Sequence, residues 1–159
     1  MAGTSDAGDD ASDPELARTE LRLVNELAAM AGIPDWVERF GAAQGLPPAV
    51  VNDLNVVLDE VVSNAITHGY DDGVRGEIVV RLRCSPDSVM IEVEDDGRPF
   101  DPLQAPPPDL AVPLAERRVG GLGLHFVRNL MGDMSYKRLG GRNVLKLLMN
   151  LSTSERRSG

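Results

Sequence analysis

Hydrophobic positions along the chain change their period several times, and each change marks an element. Val50, Leu54, Val57, Leu58, Val61 and Ala65 recur at the spacing of one helix face. Pro48 or Ala49 starts that helix and Gly69 ends it. Further on the period drops to two. Ile78, Val80, Leu82 and Cys84 alternate with Val79, Arg81 and Arg83. After a turn at Ser85-Pro86-Asp87, Val89, Ile91 and Val93 alternate with Met90, Glu92 and Glu94. The pattern predicts an antiparallel hairpin with one buried face. Upstream, residues 33–43 read as a helix with Pro34 in its first turn, stopped by Gly45 and Pro47-Pro48. Thr19, Leu21 and Leu23 alternate with Glu20, Arg22 and Val24 as a first strand would. Leu16, Leu23 and Leu27 equally fit a helix over 16–30, so both readings stand. Residues 121–131 predict a short helix with Leu124, Val127, Leu130 and Met131 as its stripe. Strands near 134–138 and 144–151 follow, joined by a Gly140-Gly141 turn.

The order is strand, helix, helix, two strands, loop, helix, two strands. It predicts an α+β fold: a two-layer sandwich with a mixed, mostly antiparallel sheet and its helices on one face. Residues 99–119 hold six of the eleven prolines, which excludes a regular helix or central strand there. A structureless loop of that length in a small domain is usually functional. Residues 1–15 carry Asp6, Asp9, Asp10 and Asp13 with almost no large apolar group and are expected to be a disordered acidic tail. Residues 152–159 are expected to be a second tail, leaving 16–151 as one folded domain.

The net charge of −9 argues against a general nucleic-acid or anionic-membrane binder, which needs clustered Lys and Arg. It leaves room for a nucleotide, whose phosphates a metal ion and a few local groups can neutralise. The single cysteine, Cys84, excludes an internal disulfide and a multi-cysteine metal site, and reads as a small core residue. With no signal-peptide pattern and no apolar run near 18 residues, a cytoplasmic location is expected.

Three constellations carry candidate chemistry. Asp95 continues the face of Val89, Ile91 and Val93, so a carboxylate points to the core side, where it needs a partner. Gly97, two residues on, allows close backbone approach. The plainer reading is a turn, since Asp95-Asp96-Gly97 is good turn chemistry. Glu60, Asn64 and His68 lie four residues apart on the long helix and drift by about 40° per step, forming one polar line beside the apolar stripe. Such a line can hold a metal ion and its water, or be an ordinary polar shoulder. His68 alone suits the helix C-terminus. Gly120-Gly121-Leu122-Gly123-Leu124 leads into a helix start, where free N–H groups bind anions; the alternative is a flexible hinge. The run is neither a Walker A sequence nor a dinucleotide fingerprint. Trp36, Phe40 and Phe126 read as core, and His125 as structural.

In this order the three elements resemble the Bergerat-fold ATPases (GHKL), the superfamily of gyrase, the Hsp-ninety chaperones, histidine kinases and mismatch-repair ATPases. Over residues 50–150 the nearest subgroup is the bacterial anti-sigma-factor serine-protein kinases. The segment from Glu60 through Asn64 and His68 to Tyr70 looks like their Asn-box. The segment from Asp95 through Gly97, Pro99 and Asp101 looks like their adenine motif, and the segment from Gly120 to Leu124 like their phosphate motif. The resemblance implies ATP and Mg²⁺ as cofactors. It implies Asn64 as metal ligand, Asp95 as acceptor of the adenine amino group, Gly97 as the point of close approach, and Glu60 as general base for a protein hydroxyl. His68, Pro99, Gly120, Gly121, Leu122, Gly123 and Leu124 would complete the nucleotide site, with residues 102–119 as a lid. Arg117 and Arg118 are candidates to meet the γ-phosphate. A late-strand Thr of many members is replaced here, with Asn143 as candidate substitute. Pro99 and Val119 stand where the superfamily often has Gly, which speaks against a histidine kinase, as does the lack of an upstream phosphoacceptor helix in these residues.

The implied function is an anti-sigma-factor serine/threonine-protein kinase that phosphorylates a small anti-sigma-antagonist protein. The kinase would alternate between that antagonist and a sigma factor or related regulator, and a homodimer is expected. The alternative from another class is a nucleotide-gated binding module with little phosphoryl transfer. A plain structural domain would require three coincidences in the right order.

Overall fold

A computed structural model describes residues 17–104 and 127–152. The expectations for both tails, for 105–119 of the lid, for Gly120 to Leu124, and for His125, Phe126, Arg117 and Arg118 therefore lie outside the described residues. The elements are β1 (Ala17–Val24), α1 (Ile33–Gln44), α2 (Pro48–Gly69), β2 (Glu77–Cys84), β3 (Ser88–Asp95), β4 (Asp133–Leu139) and β5 (Arg142–Asn150). Short 3₁₀ turns occupy Leu27–Gly32 and Pro102–Gln104, and residues 127–130 are helical.

The sheet order is β1-β2-β3-β5-β4, and all four pairings are antiparallel. β4 lies two strands from β3 and runs parallel to it, so the long segment between them makes a crossover. The open choice at the N-terminus falls to the strand: Ala17 to Val24 pair residue by residue with Cys84 to Glu77. That cross-strand pairing, invisible to local periodicity, decides against the helix. Gly140 and Gly141 both have positive φ, at 56° and 76°, as the tight β4–β5 hairpin requires.

The helices pack on one face of the sheet. Leu54, Val57, Leu58, Val61 and Val62 of α2 are buried against Ile78, Val80, Leu82, Ile91 and Leu147 in one cluster. Truncating a fully buried leucine such as Leu58 to alanine in such a core costs about 2–5 kcal/mol. Trp36 and Phe40 are core, as their spacing suggested. The Trp36 indole N–H donates to Thr19 Oγ1 at 3.0 Å, tying α1 to β1 while satisfying a buried donor. Among the described residues no helix is long and apolar enough to cross a membrane.

Candidate functional site

The site forms where one row of cross-strand partners turns from apolar to polar. Leu23, Ile78, Asp95, Asn143 and Arg138 are successive partners across the five strands. The period of two that buries Ile91 and Val93 carries Asp95 to the same face, and the side chain is only 6% exposed. Asn143, its partner on β5, is 4% exposed.

Asp95 has two unlike oxygens. Its Oδ1 accepts from the Gly97 backbone N–H and from Asn143 Nδ2, both at 2.9 Å. Its Oδ2 takes no hydrogen bond among the described residues. Burial pushes the Asp95 carboxyl above the usual aspartate range. The bonds from Asn143 and Gly97 pull it back only in part, Asp96 raises it and Arg138 lowers it. A buried carboxylate with a spare acceptor oxygen is suited to a ligand that brings a donor.

Beside Asp95 the chain has no room for a side chain at 97. A Cβ on Gly97 would lie 2.5 Å from the Gly69 carbonyl oxygen and 3.0 Å from Asp95 Oδ1. Gly69 ends α2, and its carbonyl also accepts from the Arg98 N–H at 2.8 Å. The end of α2 is thus clamped onto the segment after β3. A second clamp lies alongside. Asp96 Oδ1 accepts from the Tyr70 hydroxyl at 2.6 Å and from the Glu77 N–H at 3.0 Å. Burial raises Asp96, but these bonds outweigh it and hold the carboxyl below its ordinary value. Burial and the Asp96 contact push the Tyr70 hydroxyl well up.

Asp95, Asn64 and Asn143 line one recess with Phe100, Tyr136 and Val61 among its other walls, with a cavity volume of about 20 Å³. Asn64 Nδ2 donates to Glu60 Oε1 at 3.2 Å one turn earlier, which leaves the Asn64 carbonyl oxygen for a cation. His68 is exposed, and its ring stacks on Phe100 with centroids 5.2 Å apart. Pro99 is exposed and outside the lining. Among the described residues no three His, Cys, Asp or Glu side chains converge as a metal cage. A cation here would depend on few protein ligands and on ligand oxygens.

Sequence reading missed Tyr136, Arg138 and Phe100. The Tyr136 hydroxyl donates to Asn143 Oδ1, and Arg138 Nη1 donates to Gly97 O at 2.7 Å and Asn143 Oδ1 at 3.1 Å. The available signal was alternation: Met134, Tyr136 and Arg138 share the core-side face of an edge strand, where an arginine is out of place.

A helix-on-sheet layer thus sets a buried carboxylate at a strand end in one recess with an Asn of the long helix. Residues 23–149 match the family described as the histidine kinase-like ATPase domain, and the chain belongs to that family. It is 31% identical over 112 residues to the serine/threonine-protein kinase BtrW of Bordetella bronchiseptica, covering 70% of this chain and 79% of that protein. It is 32% identical over 88 residues to the serine-protein kinase RsbW of Oceanobacillus iheyensis, covering 53% and 56%. The chain thus spans little more than half of that RsbW. The solved structure of the RsbU and RsbW domains of a Mycobacterium tuberculosis protein shares the fold. Its TM-score is 0.60 at 20% identity, over 85% of this chain and 32% of that one. Family membership implies nucleotide binding.

Proposed function

We propose that this chain is an ATP-dependent serine/threonine-protein kinase of the anti-sigma-factor type, acting on a small anti-sigma-antagonist protein. The observation that carries the reading is Asp95: a buried carboxylate whose Oδ2 has no partner among the described residues, in a recess shared with Asn64. Asp95 Oδ2 accepts the adenine amino group. The bare backbone at Gly97 lets the base come close; the space a Cβ would fill is already taken by Gly69. Asn64 offers its carbonyl oxygen to Mg²⁺. Bound Mg-ATP supplies the transferable phosphoryl group and the cation that offsets its charge. Glu60 accepts the proton from the protein hydroxyl, and its bond from Asn64 fixes it beside the metal ligand. Gly120, Gly121 and Gly123 are the proposed lid hinge.

The kinase identity draws on the names of BtrW and RsbW. In a partner-switching circuit the kinase holds a sigma factor or related regulator, and the antagonist competes for it. Phosphorylation adds about −2 charge and expels the antagonist.

The deciding experiment has two readouts. Calorimetry with Mg-ADP and Mg-GDP measures base-selective binding, and labelled Mg-ATP with a purified antagonist protein measures transfer. Glu60→Gln is expected to keep ADP affinity within about threefold and to lose at least about 100-fold in transfer, the scale of a general base. Selective ADP binding with no transfer by the wild type would leave the nucleotide-gated binding module. No nucleotide binding would sink both.

A further inference from the structure

We infer that Asn143 is a positioning residue, held by Tyr136 and Arg138, that sets which oxygen of Asp95 faces the recess and does not itself bond the base. The inference rests on the reading of Asp95 as base acceptor. It replaces the expectation that Asn143 substitutes for a ligand-binding residue.

Counting donors and acceptors leads there. A primary amide has two N–H hydrogens and one oxygen with two lone pairs. Asn143 Nδ2 gives one hydrogen to Asp95 Oδ1 at 2.9 Å and the other to Arg98 O at 2.7 Å. Its Oδ1 faces three donors: the Tyr136 hydroxyl, Arg138 Nη1 at 3.1 Å, and the Phe100 N–H at 3.4 Å. Nothing is left for a ligand. The orientation is also one-way. A flipped amide would set its oxygen against Asp95 and the Arg98 carbonyl, and its N–H groups against a guanidinium and a backbone N–H.

The consequence falls on Asp95. With Oδ1 fixed by Asn143 and Gly97, only Oδ2 remains for a ligand, and the carboxylate cannot turn without breaking two buried bonds. Arg138 extends the device to the neighbouring loop, because the same Nη1 that meets Asn143 also meets Gly97 O at 2.7 Å. This gives a role to two side chains on β4, the half-buried Tyr136 and the exposed Arg138. The positioning shell of the site therefore comes from the β4 edge of the face that α2 covers, through β5.

The test is a double-mutant cycle by calorimetry with Mg-ADP, and with Mg-IDP, whose base carries a carbonyl in place of the amino group. Asn143→Ala should weaken ADP at least about tenfold and bring the ADP-to-IDP affinity ratio toward one. In an Asp95→Ala background the same substitution should change ADP affinity less than about twofold, since the residue it acts through is gone. Losses that multiply in the double variant would mean that Asn143 touches the ligand, and overturn the inference. So would equal weakening of ADP and IDP by Asn143→Ala. Tyr136→Phe removes one hydroxyl and keeps the ring, which covers the case in which Asn143→Ala does not fold. It should lower the ADP-to-IDP ratio in the wild-type background and leave it unmoved in Asp95→Ala; an effect in both backgrounds counts against the proposal. An Asp95→Asn protein that binds ADP like wild type defeats the underlying site reading instead, and is a separate result.

Discussion

Two rows of side chains cross the same sheet three residues apart, and they treat charge in opposite ways. On the outer face Glu20, Arg81, Glu92 and Lys146 are successive cross-strand partners, alternating in sign. Arg81 reaches Glu20 at 2.8 Å and both Glu92 and Glu94 at 2.7 Å, while Lys146 stands 3.6 Å from Glu92. On the helix-covered face Ile78, Asp95, Asn143 and Arg138 form the other row. Glu94 and Asp95 are neighbours in sequence and belong to different worlds. The hydrogen bond from Arg81 holds Glu94 below the ordinary carboxylate range, whereas burial pushes Asp95 above it. The outer row satisfies itself in water and has nothing left to offer. Among the described residues the inner row keeps one acceptor without a partner, on a carboxyl that burial raises.

Asp95→Asn separates the rows most strongly. Asparagine can keep an oxygen toward Gly97 and Asn143, but then points an N–H₂ into the recess, donor against donor. ADP affinity should fall about 100-fold by calorimetry. The thermal midpoint at neutral pH should not fall. A folded-state pKa raised above the unfolded value means stability that is present below about pH 4 and lost as pH rises through the folded value. Ionised Asp95 is therefore a burden at neutrality that the amide relieves. By the same sign, wild-type ADP affinity should weaken as the solution is acidified through that raised pKa, and the variant should lack this component. Unchanged ADP affinity would remove Asp95 from the site.

Gly97→Ala is the next largest. The new methyl meets the Gly69 carbonyl, a backbone atom that cannot swing aside, so the clamp between α2 and the segment after β3 must open. The urea midpoint should drop by the equivalent of about 1–3 kcal/mol, with ADP affinity falling in parallel. A variant as stable as wild type would show that the clamp is not close-packed in solution.

How far the sequence revealed this comparison depends on range. α1, α2 and the β2–β3 hairpin follow from local period, and Pro48 and Gly69 bound α2 where they were expected to. The placement of Asp95 on the core side came from the same period of two. β1 followed only as one of two readings, because its strand state rests on pairing with residues some 60 positions away. Tyr136 and Arg138 escaped for a related reason. On a polar edge strand they read as surface, and only the register of Arg138 opposite Asn143 turns them inward. Phe100 was hidden in a Pro-bearing loop until its ring met His68. Local period was legible; partnership across strands was not.

Glu94→Gln should have the smallest effect, and it tests whether the rows are independent. Arg81 keeps Glu20 and Glu92 when Glu94 loses its charge, Arg142 loses its ion pair with Glu94, and all these side chains are partly exposed. A loss of about 0.2–1 kcal/mol is expected from chemical denaturation at low salt, shrinking further in about 1 M NaCl. The sign with pH is opposite to that of Asp95. A depressed folded pKa gives stability that is present above about pH 4.3 and lost as pH falls through the folded value, so the variant should converge with wild type in acid. ADP affinity should stay within about twofold of wild type, because the side chain lies across the sheet from the recess. If ADP binding fell with Glu94→Gln as it does with Asp95→Asn, the outer ladder would be setting the backbone of β3 at the site. The two rows would then be one device rather than two.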